Sequence, residues 1–268
     1  MSIKRLLFAL LMSMLATSIQ AETVNCTPIT SVPVTITAQG IYCLTGKLGT
    51  AQTSGYAITI NANNVTIDLN GWKVDDGAAG AGTIAYGIYS TANNVTIKNG
   101  IVRGFDVGIY LAGSGDVVHD MLVDTNYYVG IWMSGPGALV EHSQVVNTGS
   151  TNSSAYGIAS QGTGSTVSDN VVSGITAASG LYAEAIDVEG ANSVIRNNVT
   201  SNPAILSGVT SAGIYNQTGG NTIIVNNTAS AFTYGIINTA SGIYSFNTVT
   251  NCTTDFSGGT AGAANSGN

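Results

Sequence analysis

Two short apolar phrases alternate down the chain. The first is a rung built on Gly-Ile or Ala-Ile: "YAITI" (56–60), "YGIYS" (86–90), "VGIYL" (107–111), "VGIWM" (129–133), "YGIAS" (156–160), "EAIDV" (184–188), "AGIYN" (212–216) and "YGIIN" (234–238). Its isoleucines recur at intervals of 30, 21, 22, 27, 28, 28 and 22 residues. The second phrase is an apolar residue, any residue, then Asn or Asp (His in one copy): "IKNGIV", "VHDMLV", "VEHSQV", "VSDNVV", "IRNNVT", "IVNNTA". Each apolar run is short and has period two, which predicts strands. A repeat this short cannot bury its own apolar face, so its copies must stack. In-register stacking sets equivalent residues about 4.8 Å apart and turns the core into columns. One column is Ile58, Ile88, Ile109, Ile131, Ile158, Ile186, Ile214 and Ile236. A second is Asn99, Asp120, His142, Asp169, Asn197, Asn226 and Asn247, placed where the chain bends after a strand. Stacked Asn amides hydrogen-bond along the axis, and Asn and Gly fit the left-handed turns such bends need.

"NVTIDLNG" (64–71), "NNVTIKNG" (93–100) and the recurring "GIY" resemble the right-handed parallel β-helix repeat family, which includes pectate-lyase-like and NosD-like proteins. The resemblance covers roughly residues 30–256. It implies an all-β, single-stranded right-handed parallel β-helix of about eight coils. It says little about activity, because that fold hosts lyases, hydrolases, epimerases, adhesins and tailspikes. A two-sheet sandwich would not give one column per coil, and the signature of leucine-rich repeats is absent.

The ends read differently from the repeats. "MSIKR", then "LLFALLMSMLA", then "SIQA" form a signal peptide over residues 1–21, with cleavage after Ala21. Residues 22–256 form the solenoid domain, and the Gly/Ala/Ser/Asn segment 257–268 reads as a flexible tail. No later apolar run approaches the roughly 18–20 residues of a membrane helix. The expected location is therefore secreted, periplasmic or at the cell surface. Without Lys4 and Arg5, five basic residues face fourteen acidic ones, a balance that repels phosphate backbones and argues against nucleic acid. Export permits disulfides, so Cys26 and Cys43 are expected to pair, leaving Cys252 over.

Candidate chemistry follows from strand alternation. If each Gly-Ile isoleucine points inward, the next residue points outward. That column reads Thr59, Tyr89, Tyr110, Trp132, Ala159, Asp187, Tyr215, Ile237. Tyr89, Tyr110 and Trp132 form an aromatic strip suited to sugar rings, or one that simply fits a pleated surface. The segment "AEAIDVEG" (183–190) makes the same column acidic at Asp187, with Glu189 on its face and Glu184 in the column of Tyr56, Tyr86, Tyr156 and Tyr234. Gln161, Tyr215 and Gln217 in adjacent coils can hydrogen-bond a sugar.

In β-helix enzymes, the resemblance implies, the groove along one such sheet holds the active site. Asp187 and Glu189 then suit an acid/base pair for glycoside cleavage. Alternatively they bind a hard cation such as Ca²⁺, or are ordinary surface acids. Longer connections at 148–155, 174–183 and 203–212 precede the neighbouring rungs and would wall this site. The outward column Lys98, His119, Glu141, Ser168, Arg196 alternates in sign and reads as cross-strand pairing. Asp75-Asp76 reads as turn chemistry, and Asp116, Asp120 and Asp124 point three ways. "DPH", "NTD", "RIK" and a lyase-like arginine pattern are all absent. Three functions remain open: binding a polysaccharide or surface glycan, a polysaccharide lyase or glycoside hydrolase, and a structural or adhesin-like solenoid.

Overall fold

A computed structural model describes residues 25–267, so the signal-peptide reading of 1–21 lies outside the described residues. The described chain is a parallel β-helix of the right-handed type, with every strand pairing parallel to its counterpart one coil away. A representative coil has three strands, Ala155–Ser160, Thr166–Ser168 and Val171–Ser173. Its corners are left-handed residues: Gly164, Asp169 and Gly174. The isoleucine column is in perfect register from Ile58 to Ile236, with Val34 preceding it and Phe256 following it. These isoleucines are fully or almost fully buried and form one continuous core along the axis.

The Gly-Ile pair has a steric cause. Both of its residues face the core, as the burial of Ala185 with Ile186 and of Ala57 with Ile58 demonstrates. Two consecutive inward side chains crowd the axis, so the first must be minimal. A Cβ on Gly87 would lie 2.5 Å from the Gly108 carbonyl oxygen and 2.7 Å from a Val102 methyl. The consequence for function is immediate: simple alternation fails at this pair, and the residues on either side of it both face outward.

The corner ladder differs from expectation at one position. Asn99, Asp120, His142, Asp169, Asn197 and Asn226 are left-handed, with φ between 48° and 60°. In the next coil Phe246, at φ 54°, takes that place. Asn247 instead extends an interior ladder one residue further on, formed by Asn170, Asn198, Asn227, Asn247 and Asn265. Within it the Asn198 amide donates to Val167 O (2.9 Å) and Asn227 Oδ1 (3.0 Å), while its Oδ1 accepts from Asn170 N (3.1 Å). Buried amides thus satisfy the backbone groups that the bend frees. Asn265 accepts from Asn247 N (3.2 Å), and the last strand runs Thr254–Ala261. The boundary drawn at 256/257 therefore falls inside a strand.

Cys26 and Cys43 are disulfide-bonded, with Cα atoms 5.7 Å apart. Cys252 packs half-buried against the core. The charged column pairs only in part as expected. Lys98 meets Asp68 directly across the ladder (3.3 Å), whereas Arg196 turns to Asp169 (3.7 Å) and His119 to its neighbour Asp120 (2.7 Å). No helix among the described residues is long and apolar enough to cross a membrane.

Candidate functional site

The outward column is the predicted one, in register from Thr59 through Tyr89, Tyr110, Trp132, Ala159, Asp187 and Tyr215 to Ile237. Because Ala185 and Ile186 both turn inward, Glu184 shares this face, in a column with Tyr156 before it and Ala212 after it. The strand Tyr182–Val188 thus carries two carboxyls outward, flanking its inward pair. They are nonetheless 2% and 3% exposed. A second, smaller apolar cluster of Val107, Val129 and Ala159, packed by Tyr86, Tyr110, Tyr128, Trp132 and Tyr156, covers this face nearby.

Burial raises the pKa of both carboxyls; Asp187 and then Glu189 raise Glu184 further and Glu189 raises Asp187, while Gln217 offsets part of both rises and hydrogen bonds from Glu184 and the Val188 backbone offset part of the rise at Asp187. Two carboxyls that close cannot both ionise at ordinary cost, so the pair holds a proton into the neutral range. Glu184 Oε2 and Asp187 Oδ1 are buried and have no hydrogen-bond partner. Tyr156, desolvated and beside Glu184, is pushed up to about 12. Tyr128 is raised by burial first, then by Asp106, Asp187 and Glu189. Asp106 is itself raised by burial.

Two clefts adjoin the pair along the axis. One, of about 70 Å³, is lined by Tyr128, Val129, Trp132, Tyr156, Ala159, Gln161, Asp187 and Glu189. The other, of about 240 Å³, includes Glu184, Tyr182, Thr210, Tyr215 and Tyr234. The long connections therefore wall the Glu184 side, through Tyr182 and Thr210, and they stack on one another: Ala178 N donates to Ser153 O at 3.1 Å. A larger cleft of about 420 Å³ involves Lys47, Asp75 and Arg103 on other strands. Two of its three charges are already engaged, Asp75 by Lys73 (2.6 Å) and Arg103 by Asp124 (3.6 Å), and it lacks the aromatic side chains of the other two clefts, so it is the weaker candidate despite its size.

The aromatic strip divides into two parts. Tyr56, Tyr89 and Tyr110 stack face to face, with centroids 4.1 and 5.3 Å apart and planes 20° and 9° apart. Tyr89 is stacked on both faces and Tyr110 on one, and neither lines either cleft. Trp132 stands at 87° to Tyr110 and 78° to Tyr128, and no ring stacks on its face among the described residues. Its Nε1 donates to Gln161 Oε1 (2.8 Å), which turns Gln161 Nε2 toward Glu189 Oε2 (3.3 Å). The expected set of Trp132, Gln161, Glu184, Asp187, Glu189, Tyr215 and Gln217 is thus gathered around the pair. Tyr128, Tyr156, Tyr182 and Tyr234 join it. Tyr156 and Tyr234 share the Glu184 column, which the sequence contained as a pattern. Tyr128 and Tyr182 lie outside the repeated positions and left no signal. Among the described residues no group of three His, Cys, Asp or Glu is arranged to hold a metal ion.

No protein-family model matches the chain, and no curated protein matches it. Solved structures do resemble it. The Dettilon tailspike protein superposes with a TM-score of 0.62 at 17% identity, covering 90% of this chain and 51% of the tailspike. The Agl-KA catalytic domain gives 0.55 at 12% identity, covering 79% of this chain and 44% of that domain. Pectate lyase Pel9A gives 0.55 at 16%, covering 90% and 68%. The chain spans about half the length of the first two. At these identities the likeness is one of fold, and the fold is the parallel β-helix of the pectate lyase and tailspike type.

Proposed function

We propose that this protein binds a polysaccharide on the outer face of its Gly-Ile strands, with Trp132 as the platform and Glu184 and Asp187 as the hydrogen-bonding centre. One observation carries the reading: two carboxyls stand on an outward face, almost wholly buried, each with an oxygen lacking a partner. Leaving a buried acceptor unmet costs roughly 1–3 kcal/mol. Other rungs fill the same columns with Tyr, Val, Ala or Thr, which carry no such penalty. A ligand that brings hydroxyl donors removes it. That a protein named as a pectate lyase has this fold supports a polysaccharide as the partner without transferring its reaction. A secreted or cell-surface setting belongs to the same proposal, on the strength of the signal-peptide pattern and the Cys26–Cys43 disulfide.

The test is affinity electrophoresis in gels containing single polysaccharides. Retardation of the wild type, lost by at least tenfold in Trp132→Ala, is the expected result. Equal retardation of Trp132→Ala would place binding elsewhere.

A second reading is favoured by the shared proton. A protonated carboxyl beside a carboxylate, both next to the Trp132 cleft, is the equipment of general acid–base glycoside cleavage. In this reading the Glu184–Asp187 pair donates the proton to the leaving oxygen and Glu189 is the base. Reducing-end release should then fall at least 100-fold in Asp187→Asn. Unchanged release in that variant would remove the pair from the chemistry.

A further inference from the structure

Resting on the polysaccharide reading above, we infer that the ligand is a neutral polysaccharide, free of uronic acid or sulfate groups, laid along the solenoid axis across the Glu184–Asp187 rung. The chemistry of the lining residues separates the two classes of sugar polymer. Neither cleft is lined by Lys, Arg or His. Every Lys, Arg and His among the described residues lies off this face: Lys98, His119, His142 and Arg196 at or next to the second strand or its bend, Lys73 and Arg103 on the third, and Lys47 at the cleft beside Arg103. Five of these seven are held by carboxylates within 3.7 Å. A uronate in either cleft would meet the singly protonated Glu184–Asp187 pair, which keeps one negative charge, with no counter-charge in the lining of either cleft. The singly protonated pair, with its unmet oxygens, still offers acceptors. A hydroxyl donates to them, whereas a uronate carboxylate only accepts.

The two clefts fix the direction and the length. One opens on the Trp132 side of the acidic rung and the other on the Ile237 side. From the Trp132 rung to the Ser257 rung there are five steps, about 24 Å at the spacing of stacked strands. A chain of several sugar rings therefore occupies both clefts, with an internal linkage over the carboxyls.

The experiment uses the whole protein at pH 7 with EDTA, on immobilised neutral polymers (glucans, mannans, galactans, xylans) and charged ones (polygalacturonate, alginate). Retention on a neutral polymer, at least tenfold stronger than on either polyuronate and lost in Trp132→Ala, is expected. The variant Glu184→Gln/Asp187→Asn should narrow that tenfold preference, since it removes the repulsion without removing Trp132. Retention on a polyuronate that Trp132→Ala abolishes, with or without added Ca²⁺, overturns this inference and leaves the polysaccharide-binding reading standing. Retention on neither class overturns both.

Discussion

Glu184 and Asp187 lie on one rung with two core residues between them, and that spacing explains both their shared face and their burial. Strict alternation would place Glu184 inside with the core. The Ala185–Ile186 pair shifts it outward, beneath Tyr156 and beside Asp187. The sequence held half of this: the outward column at Asp187 follows from period two, whereas the position of Glu184 depends on the doubled inward step. Gln161 is a second residue whose role only geometry assigns, since the Trp132 indole and Glu189 both engage its amide. The raised pKa values give a prediction at this scale. A carboxyl whose folded pKa is raised contributes stability that is present at acidic pH and lost as pH rises through the folded value. Glu184→Gln should therefore raise the melting temperature at pH 8 while leaving it nearly unchanged near pH 4, below the ordinary glutamate value of 4.5. Thermal melts at the two pH values decide it, and an equal effect at both would mean that the pair is ionised as usual.

At the scale of the strand and corner, close backbone approach decides which residues the repeat accepts. Gly113, Gly135, Gly162 and Gly190 end successive Gly-Ile rungs, and each lies against the carbonyl of its predecessor. A Cβ on Gly162 would sit 1.7 Å from Gly135 O. Gly162→Ala must push adjacent coils apart beside the candidate site, and chemical denaturation should register a loss of about 1–3 kcal/mol or more. A loss below about 0.5 kcal/mol would show that the coils yield easily. The interior Asn ladder is the polar counterpart. Asn198→Ala strands Val167 O and Asn170 N inside the core, at roughly 1–3 kcal/mol for each group left unpaired. By contrast, Asn197→Gly at the solvent side of the same bend keeps the left-handed conformation and should lose much less. The sequence disclosed one Asn column clearly. The two adjacent columns run together at Asn247 in the sequence, because the corner before it carries Phe246 in place of the usual Asn and the repeat shortens there.

Across the whole molecule, the fold was legible because every coil repeats the same inward residues, so one error in register cannot hide. The candidate site was less legible because it exists where the repeat is broken, in a single rung without a second copy to compare. The titration of the molecule follows from its many buried acids. Among the described acids Asp76, Asp106, Asp116, Glu184 and Asp187 are raised, with Asp116 pushed up to about 6, and Asp75 alone is lowered, despite its own burial, by Lys73, Gly77 and Arg103. The folded state thus binds more protons than the unfolded chain between the ordinary carboxylate range and neutrality. Stability should be highest on the mildly acidic side and decline as pH rises from about 5 toward 8. A melting temperature that climbs over that interval would contradict the buried, protonated acids.

The central claim, that a glycan lies on Trp132 beside the carboxyl pair, has a direct optical test. The chain has two tryptophans, and Trp72→Phe leaves Trp132 as the sole indole. Titrating this variant with neutral oligosaccharides of increasing length should produce a saturable change in indole emission, with affinity rising until both clefts are spanned. Saturable binding detected calorimetrically while Trp132 emission stays unchanged would contradict the account.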